Sequence, residues 1–379
     1  MSSNNVNSLL IAWASSLIIV LGGVLLLELS YTPPGDRPPV TETGVATTGP
    51  APAAPDSAGD NTDNNQPPAE NAAADDELAP AAAATNLPAP GQGPVAAVES
   101  PSATISVPQG IPVMPLAALY EDSNFGPLPI IAEDGRRPVD IYAAPKVNNT
   151  RGWRIAILVT GLGKRANATQ RALDDLPPNV SLAFSVYGSK MHDWGQKARI
   201  LGHEVFLAVP MEPSDTSQND AGPLTLLTSN SQRINTQLLR SSLGNFSGYV
   251  GVVNEMGSRF TVAADSMRPV LDELKRRGLM FVDSRTSRFS RAATMANAVN
   301  MPWAVNNQYI DDDLDSAAIG AQLDSLEKRA KAQGTALGIA RAYPVTFRTI
   351  KVWAATLEER GFVLVPVTSI ANQQALPRQ

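Results

Sequence analysis

Short apolar runs alternate with segments of helical spacing along the C-terminal two thirds of the chain. The runs are rich in Val, Ile, Leu and Ala, which is typical of parallel strands buried on both faces by helices. They lie at residues 154–160, 180–187, 204–209, 250–253, 280–283, 309–310, 337–340 and 363–365. A doubly wound open sheet would show the same alternation, but this many strand–helix units in about 230 residues favours a closed or nearly closed sheet. The pattern predicts an α/β fold, an irregular (β/α) barrel of seven or eight strands, over residues 118–372, with a tail at 373–379.

The most informative strand end in this pattern follows residues 250–253. Polar side chains, among them Asn254, Glu255 and Arg259, come directly after the strand, and Thr261 is placed to cap the next helix. Sites in α/β folds are built at the carboxyl ends of the strands. We therefore expect a functional site at this end of the sheet.

An apolar run without charge occupies residues 9–27, which is long enough to cross a bilayer core of about 30 Å. The run predicts an uncleaved membrane anchor within residues 1–30, with a cleaved signal peptide as the alternative. A short tail inside and a large domain outside is the default orientation. This indicates a single-pass membrane protein with its C-terminal domain on the outer side of the membrane.

Residues 31–117 consist mainly of Pro, Ala, Asp, Asn and Thr, a composition typical of a disordered linker. The segment 31–116 carries ten acids against one base, which leaves a net charge of roughly +4 for the domain that follows. This charge is too small and dispersed for a nucleic-acid-binding protein. Aromatic and Ile residues return at residues 118–147, which we expect to form an extended arm along the barrel.

The side-chain chemistry available to a site is limited. The chain has no cysteine, which excludes disulfides, thiolate metal sites and cysteine nucleophiles. Its two histidines, His192 and His203, lie at opposite ends of one predicted helix and are not expected to share a metal. Gly161 and Gly163 before Lys164 could cradle a phosphate, but the spacing matches no nucleotide-binding motif and favours an ordinary tight turn.

Short motifs that are specific in combination are distributed over the barrel region. They are Gly202-His-Glu-Val205, Pro210-Met-Glu-Pro213, Gly248-Tyr-Val-Gly251, Met256-Gly-Ser-Arg-Phe-Thr261, Asp283-Ser-Arg-Thr286, Asp311-Asp-Asp313 and Tyr343-Pro344. In this combination the chain resembles the divergent polysaccharide deacetylase family, bacterial envelope proteins related to carbohydrate esterases. The resemblance implies an irregular (β/α) barrel and a role in envelope glycan metabolism. Together with the predicted anchor it implies a single-pass protein of the bacterial inner membrane with a periplasmic C-terminal domain. An active member would be a hydrolase that removes acetyl groups from amino sugars.

The chain departs from the family pattern where the resemblance implies chemistry. Thr160 and Gly161 stand in place of an aspartate pair, and Ala208, Glu255 and Arg341 stand in place of histidines. Deacetylation in such a site needs a cation that polarises the carbonyl and acidifies a water. The resemblance therefore predicts a degenerate deacetylase without metal or other cofactor, which binds its glycan or a partner without turnover.

The alternative is an active carbohydrate esterase with a rearranged site. Its candidate catalytic residues are Glu255, Asp283 and Asp311, each at or just beyond a strand end. Carboxylate oxygens could then hold a divalent cation such as magnesium or calcium.

Several arginines also follow strand ends. Arg259, Arg285 and Arg341 are the predicted binding residues among them, and Glu212 and Asn254 complete the predicted set. Guanidinium groups match carboxylates and phosphates well, so the set predicts binding of envelope glycan or another anionic polymer, or of an envelope protein partner. Pairing of the arginines with acids at the same strand ends is the alternative.

Overall fold

The computed structural model describes residues 110–145 and 152–377. The predicted membrane anchor and nearly all of the predicted linker lie outside these residues. Among the helices of the described part, none is long and apolar enough to cross a membrane.

The described part of the chain contains eleven strands and eight α-helices. In chain order they are β1 Tyr120–Ser123, β2 Gly126–Pro129, α1 Pro138–Ile141, β3 Trp153–Leu162, α2 Ala166–Asp175, β4 Ser181–Ser185, α3 Met191–Ile200, β5 Val205–Met211, α4 Gln232–Leu243, β6 Gly251–Met256, α5 Ala264–Arg276, β7 Met280–Asp283, α6 Ala292–Ala298, β8 Trp303–Val305, β9 Gln308–Tyr309, α7 Ser316–Gln333, β10 Thr335–Arg341, α8 Pro344–Ala355 and β11 Phe362–Leu364. Short 3-10 helices occur at Ala117–Leu119, Phe260–Val262, Glu358–Arg360 and Val367–Ile370.

Strands β3 to β11 form one curled sheet in which every pairing is parallel. Its order is β8-β7-β6-β5-β4-β3-β10-β9, and β11 pairs with the first residues of β3. Only two residues separate β8 from β9. The Asn306 N–H donates to Asp283 O at 2.8 Å and the Asn307 N–H donates to Leu337 O at 2.9 Å, so residues 303–309 bond to both sides of the curled sheet. The predicted α/β fold is confirmed. The sequence predicts a barrel of seven or eight strands, whereas the structure has a curled parallel sheet of nine strands.

Both faces of the sheet are buried, which explains the continuous apolar runs in the sequence. Alternate residues of β3 point to opposite faces. Ala156 and Leu158 belong to a core inside the curl, whereas Ile155 and Ile157 belong to the core between the sheet and the helices.

The prediction that residues 118–147 form an extended arm is wrong. Strands β1 and β2 form an antiparallel hairpin, and Gly126 turns it with a φ of +95°. Leu119 and Tyr142 pack in the core inside the curl together with Val367 and Ile370. The segment folds back because its apolar side chains are needed to fill that core.

The prediction that Thr261 caps a helix is also wrong. Thr261 is buried within the 3-10 helix Phe260–Val262, and its hydroxyl donates to Gly257 O at 2.8 Å. Helix α5 instead begins at Ala264, with Ala263 as its N-cap. A threonine hydroxyl that bonds back to the carbonyl four residues earlier is no longer available as a cap.

Candidate functional site

A cavity of about 440 Å³ opens at the carboxyl ends of the strands. Its walls come from the ends of β3, β5, β6, β9 and β10 and from the segments that follow β3, β7 and β10. The lining residues are Thr160, Gly161, Lys164, Arg165, Ala208, Asn219, Val253, Asn254, Glu255, Met256, Ser284, Thr286, Tyr309, Ile339, Arg341, Ala342 and Tyr343. The cavity therefore lies at the end of the sheet where the sequence predicts a site.

All five positions at which the chain departs from the family pattern line this cavity. They are Thr160, Gly161, Ala208, Glu255 and Arg341. Strands β3, β5, β6 and β10 bring them together, although they are far apart in the sequence. The cavity is thus the place where the resemblance implies chemistry, and the replaced side chains form its walls.

The carboxylate of Glu255 has a cation as its partner. Lys164 Nζ lies 2.6 Å from Glu255 Oε1, and the Ser185 hydroxyl lies 3.5 Å from Oε2. Both members of the ion pair are partly exposed, with 41% of the lysine and 27% of the glutamate side chain accessible. The pair balances the charge of the glutamate on one wall of the cavity.

Asn254 organises the end of β6 through both ends of its amide. Its Oδ1 accepts a hydrogen bond from the Ser284 N–H at 2.8 Å, and its Nδ2 donates to Met256 O at 2.6 Å. Met256 adopts the left-handed backbone region with a φ of +56°, which costs a non-glycine residue about 1 kcal/mol. Asn254 therefore positions the strand end and links it to the segment after β7.

The hydroxyl of Ser284 is buried and, apart from the neighbouring Tyr309 hydroxyl, finds no hydrogen-bond partner among the described residues. Ser284 lines the cavity together with Thr286, whose hydroxyl donates to Met256 O at 3.0 Å. A buried polar group without a partner costs about 1–3 kcal/mol. Ser284 Oγ is consequently available to a polar ligand atom.

Asp283 lies behind the cavity rather than on its wall. It is fully buried, accepts hydrogen bonds from the Arg285 N–H at 2.8 Å and the Ser290 hydroxyl at 2.7 Å, and receives a longer one from Ala293 N–H. Burial raises the pKa of its carboxyl group, and the hydrogen bonds oppose this effect. Asp283 thus holds the segment after β7 in place.

Asp311 is also buried and anchors Arg341, which does line the cavity. Its Oδ2 accepts hydrogen bonds from the Arg341 N–H at 2.7 Å and the Thr346 hydroxyl at 3.0 Å. The Arg341 guanidinium lies 3.5 Å from Asp311 Oδ1 and 3.0 Å from Asp312 Oδ1, and it faces the Tyr309 ring at 5.2 Å. Arg341 is therefore held on the wall with 43% of its side chain still accessible.

Three of the predicted binding residues, Glu212, Arg259 and Arg285, are not part of the cavity lining. Glu212 Oε2 accepts hydrogen bonds from both the N–H and the hydroxyl of Thr228 at 2.6 Å. Its Oε1 lies 3.5 Å from Arg259 Nε, on a side chain that is 60% exposed. The binding roles of these residues remain predictions, as do those of Asn254 and Arg341, which do line the cavity.

Several lining residues were not among the predicted site residues, including Lys164, Ser284, Tyr309 and Tyr343. Lys164 and Tyr343 belong to motifs that the sequence already marks, namely the turn after β3 and the Tyr-Pro pair. For Ser284 and Tyr309, the sequence offers one indication of a place in the site, namely their position at a strand end.

The acidic side chains around the cavity do not fit a metal ion. Glu255 is paired with Lys164, while Asp283 and Asp311 are buried and satisfied by other donors. The described residues contain no group of three or more His, Asp or Glu side chains that could hold a metal. His203 is buried against Val180 O at 2.8 Å, and burial lowers its pKa to about 4.

Comparison with known proteins agrees with the fold and the motifs. Residues 157–371 match the sequence profile of a family described as divergent polysaccharide deacetylase. The crystal structure of an uncharacterized protein from Agrobacterium tumefaciens is 35% identical, with a TM-score of 0.63, over 65% of this chain and 99% of that one. The uncharacterized protein YibQ of Escherichia coli is 26% identical over 220 residues, 58% of this chain and 68% of that protein. An uncharacterized protein of Haemophilus influenzae is 24% identical over 211 residues, 54% of this chain and 72% of its own length.

Proposed function

The chain belongs to the divergent polysaccharide deacetylase family, and we propose that it is a membrane-anchored envelope protein whose cavity binds envelope glycan without metal-dependent turnover. Its C-terminal domain would lie in the periplasm of a bacterial cell. The observation that carries this proposal is the convergence of Thr160, Gly161, Ala208, Glu255 and Arg341 on one cavity.

Turnover is disfavoured by the donor set of the cavity. Hydrolysis of an acetyl amide by a cation requires ligands that hold it and a base that activates a water. Gly161 and Ala208 have no side-chain ligand atom, and Arg341 is itself a cation. Glu255 is neutralised by Lys164 at 2.6 Å. This donor set supports the proposal that the site acts without a bound cation.

Binding is favoured by the same lining. Ser284 and Thr286 present hydroxyl groups, and Tyr309 and Tyr343 present aromatic surface. Ligand pockets combine apolar surface with a few convergent polar groups in this way, and their volumes are about 300–1,000 Å³. Sugars offer the complementary surface, with hydroxyl groups at their edges and C–H groups on their faces.

The absence of turnover is tested with the purified protein and oligomers of N-acetylglucosamine. We expect no stoichiometric bound metal and no acetate release, with or without added divalent cations. The double variant Thr160→Asp, Gly161→Asp should also be inactive, because Ala208 and Arg341 still supply no ligand. It should lose about 1 kcal/mol of stability, since Gly161 has a φ of +80°. Acetate release that a chelator abolishes would instead establish the alternative, an active esterase with a rearranged site.

Substitution of Arg341 tests binding, because Arg341 is the predicted binding residue whose positively charged side chain lines the cavity. Arg341→Ala should weaken glycan binding by about 1–2 kcal/mol, because a charge-assisted hydrogen bond is lost from a partly exposed wall. The fold should persist, since Asp311 keeps the hydrogen bonds from the N–H of residue 341 and from Thr346. Titration calorimetry measures the effect. A parallel titration of Arg259→Ala reports whether binding extends beyond the cavity, and an unchanged affinity in Arg341→Ala would remove Arg341 from the site.

A further inference from the structure

A second cavity, of about 740 Å³, adjoins the first. It lies between the beginning of α2, at residues 165–171, and the beginning of α8, at residues 342–344. Arg165, Ala342 and Tyr343 line both cavities. The two cavities are therefore neighbouring parts of one cleft, with Tyr343 at the boundary between them.

The charges of the second cavity are all of one sign. Arg165 and Arg171 are its charged lining residues, and no acid lines it. Neither guanidinium forms an ion pair or a hydrogen bond with any described residue. The other two cations of the first cavity differ in this respect, because Lys164 is paired with Glu255 and Arg341 with Asp311 and Asp312. The second cavity thus offers two guanidiniums without an ion pair next to a site whose remaining cations are paired.

We propose that the cleft binds a glycan that carries acidic substituents, with a sugar in the first cavity and an acidic group against Arg165 and Arg171 in the second. This inference rests on the proposed glycan-binding function and specifies which glycan the cleft selects. Guanidinium groups form paired hydrogen bonds with carboxylate and with phosphate oxygens. Each cavity has the volume of an ordinary ligand pocket, so together they accommodate more than one sugar unit. Arg165 is the residue that determines specificity, because it faces both parts of the cleft.

The test uses the full chain and three tetrasaccharides of equal length, titrated by calorimetry at low salt. One is the neutral tetramer of N-acetylglucosamine, and the other two carry carboxylate or phosphate groups. We expect at least one acidic tetramer to bind about tenfold more tightly than the neutral one. The acidic probe with the higher affinity identifies the substituent. This advantage should shrink as salt is added, because the guanidiniums are exposed.

Arg165→Ala should lower the affinity for the acidic probe by a larger factor than the affinity for the neutral tetramer, so that most of the advantage of the acidic probe is lost. Arg171→Ala should remove part of it. The matched control is Arg233→Ala, an exposed arginine on α4, and it should retain the full advantage. Equal binding of neutral and acidic tetramers, or an advantage that survives in Arg165→Ala, would overturn the inference while the proposed function stands. If no tetramer binds the parent, the proposed function fails and this inference fails with it.

Discussion

Replacing Glu273 with alanine should lower the free energy of unfolding by about 3–5 kcal/mol, because it leaves the buried Arg277 guanidinium without its main counter-charge. Arg277 is 2% exposed, and its Nε lies 2.8 Å from Glu273 Oε1. Arg240 Nε lies 2.9 Å from the same oxygen, and Arg276 contacts the other oxygen. Chemical denaturation in urea measures the loss.

The adjacent carboxylate supplies the control for this prediction. Asp272 pairs with Arg268 on the exposed side of α5, with both side chains more than half accessible, so Asp272→Ala should change stability by less than about 1 kcal/mol. The double variant Glu273→Leu, Arg277→Met should recover much of the loss, since it removes the buried charge together with its partner. A Glu273→Ala variant as stable as the parent would contradict the assigned role.

The Glu273 ion pairs also have a defined pH dependence. Burial raises the pKa of Glu273, but hydrogen bonds from Arg240, Arg276 and Arg277 outweigh this and lower it to about 2. The folded-state pKa is thus below the unfolded value near 4.3. The stabilisation by the Glu273 ion pairs is therefore fully present above the unfolded-state pKa and is lost as the pH falls through about 2. The difference between parent and Glu273→Ala should shrink correspondingly in acid.

The second large effect is expected at Glu204, a buried carboxylate at the beginning of β5. It accepts hydrogen bonds from the Ala144 N–H at 3.1 Å, the Ser181 hydroxyl at 3.2 Å and the Thr368 N–H at 3.1 Å, and also from the Thr368 hydroxyl. Glu204→Ala would leave these donors without an acceptor. We expect a loss of about 3 kcal/mol in the free energy of unfolding. Each buried donor that loses its acceptor costs about 1–3 kcal/mol, and part of this total cost is offset because a buried carboxylate is removed as well.

The pH dependence at Glu204 should have the opposite sign. Burial raises the pKa of Glu204, with the hydrogen bonds opposing it. The raised value means that its contribution is fully present below the unfolded pKa near 4.3 and decreases as the pH rises through the folded-state value. The penalty of Glu204→Ala should therefore be larger at acidic than at neutral pH. Glu133→Ala, at an exposed turn, serves as the control, and an equal penalty at both pH values would show that the carboxyl group does not titrate as described.

The strands could be located from the sequence because both faces of the sheet are buried, which makes each strand a continuous apolar run. Their carboxyl ends were placed less well. Strand β6 was predicted at residues 250–253 but runs over Gly251–Met256, since the polar residues Asn254 and Glu255 continue the strand into the cavity. Strand β8 was missed because it has three residues, Trp303–Val305, too few to show a period.

The location of the site could be predicted from the sequence, but the contacts between its side chains could not. A position after a strand end indicates which rim a side chain belongs to, and this located Glu255 and Arg341 at the cavity. It does not indicate the partner that a side chain selects, so the pairing of Lys164 with Glu255, 91 residues away, gave no signal in the sequence. Arg259 illustrates the same limit. Pairing with an acid at a strand end was an alternative from the sequence, but the position of Arg259 did not identify Glu212 as the partner.

The arrangement of strands around β3 has a consequence for how the chain acquires its structure. Strand β3 is the first strand of the sheet in sequence, yet it pairs with β10, which follows about 180 residues later, and with β11 near the end of the chain. Such distant pairings slow folding, because the entropy of closing a long loop is lost before the contact forms. During synthesis, β3 can meet β4 early, but its other neighbours emerge last. The sheet is therefore completed after nearly the whole domain has been made, and until then one backbone edge of β3 is without its native strand partners.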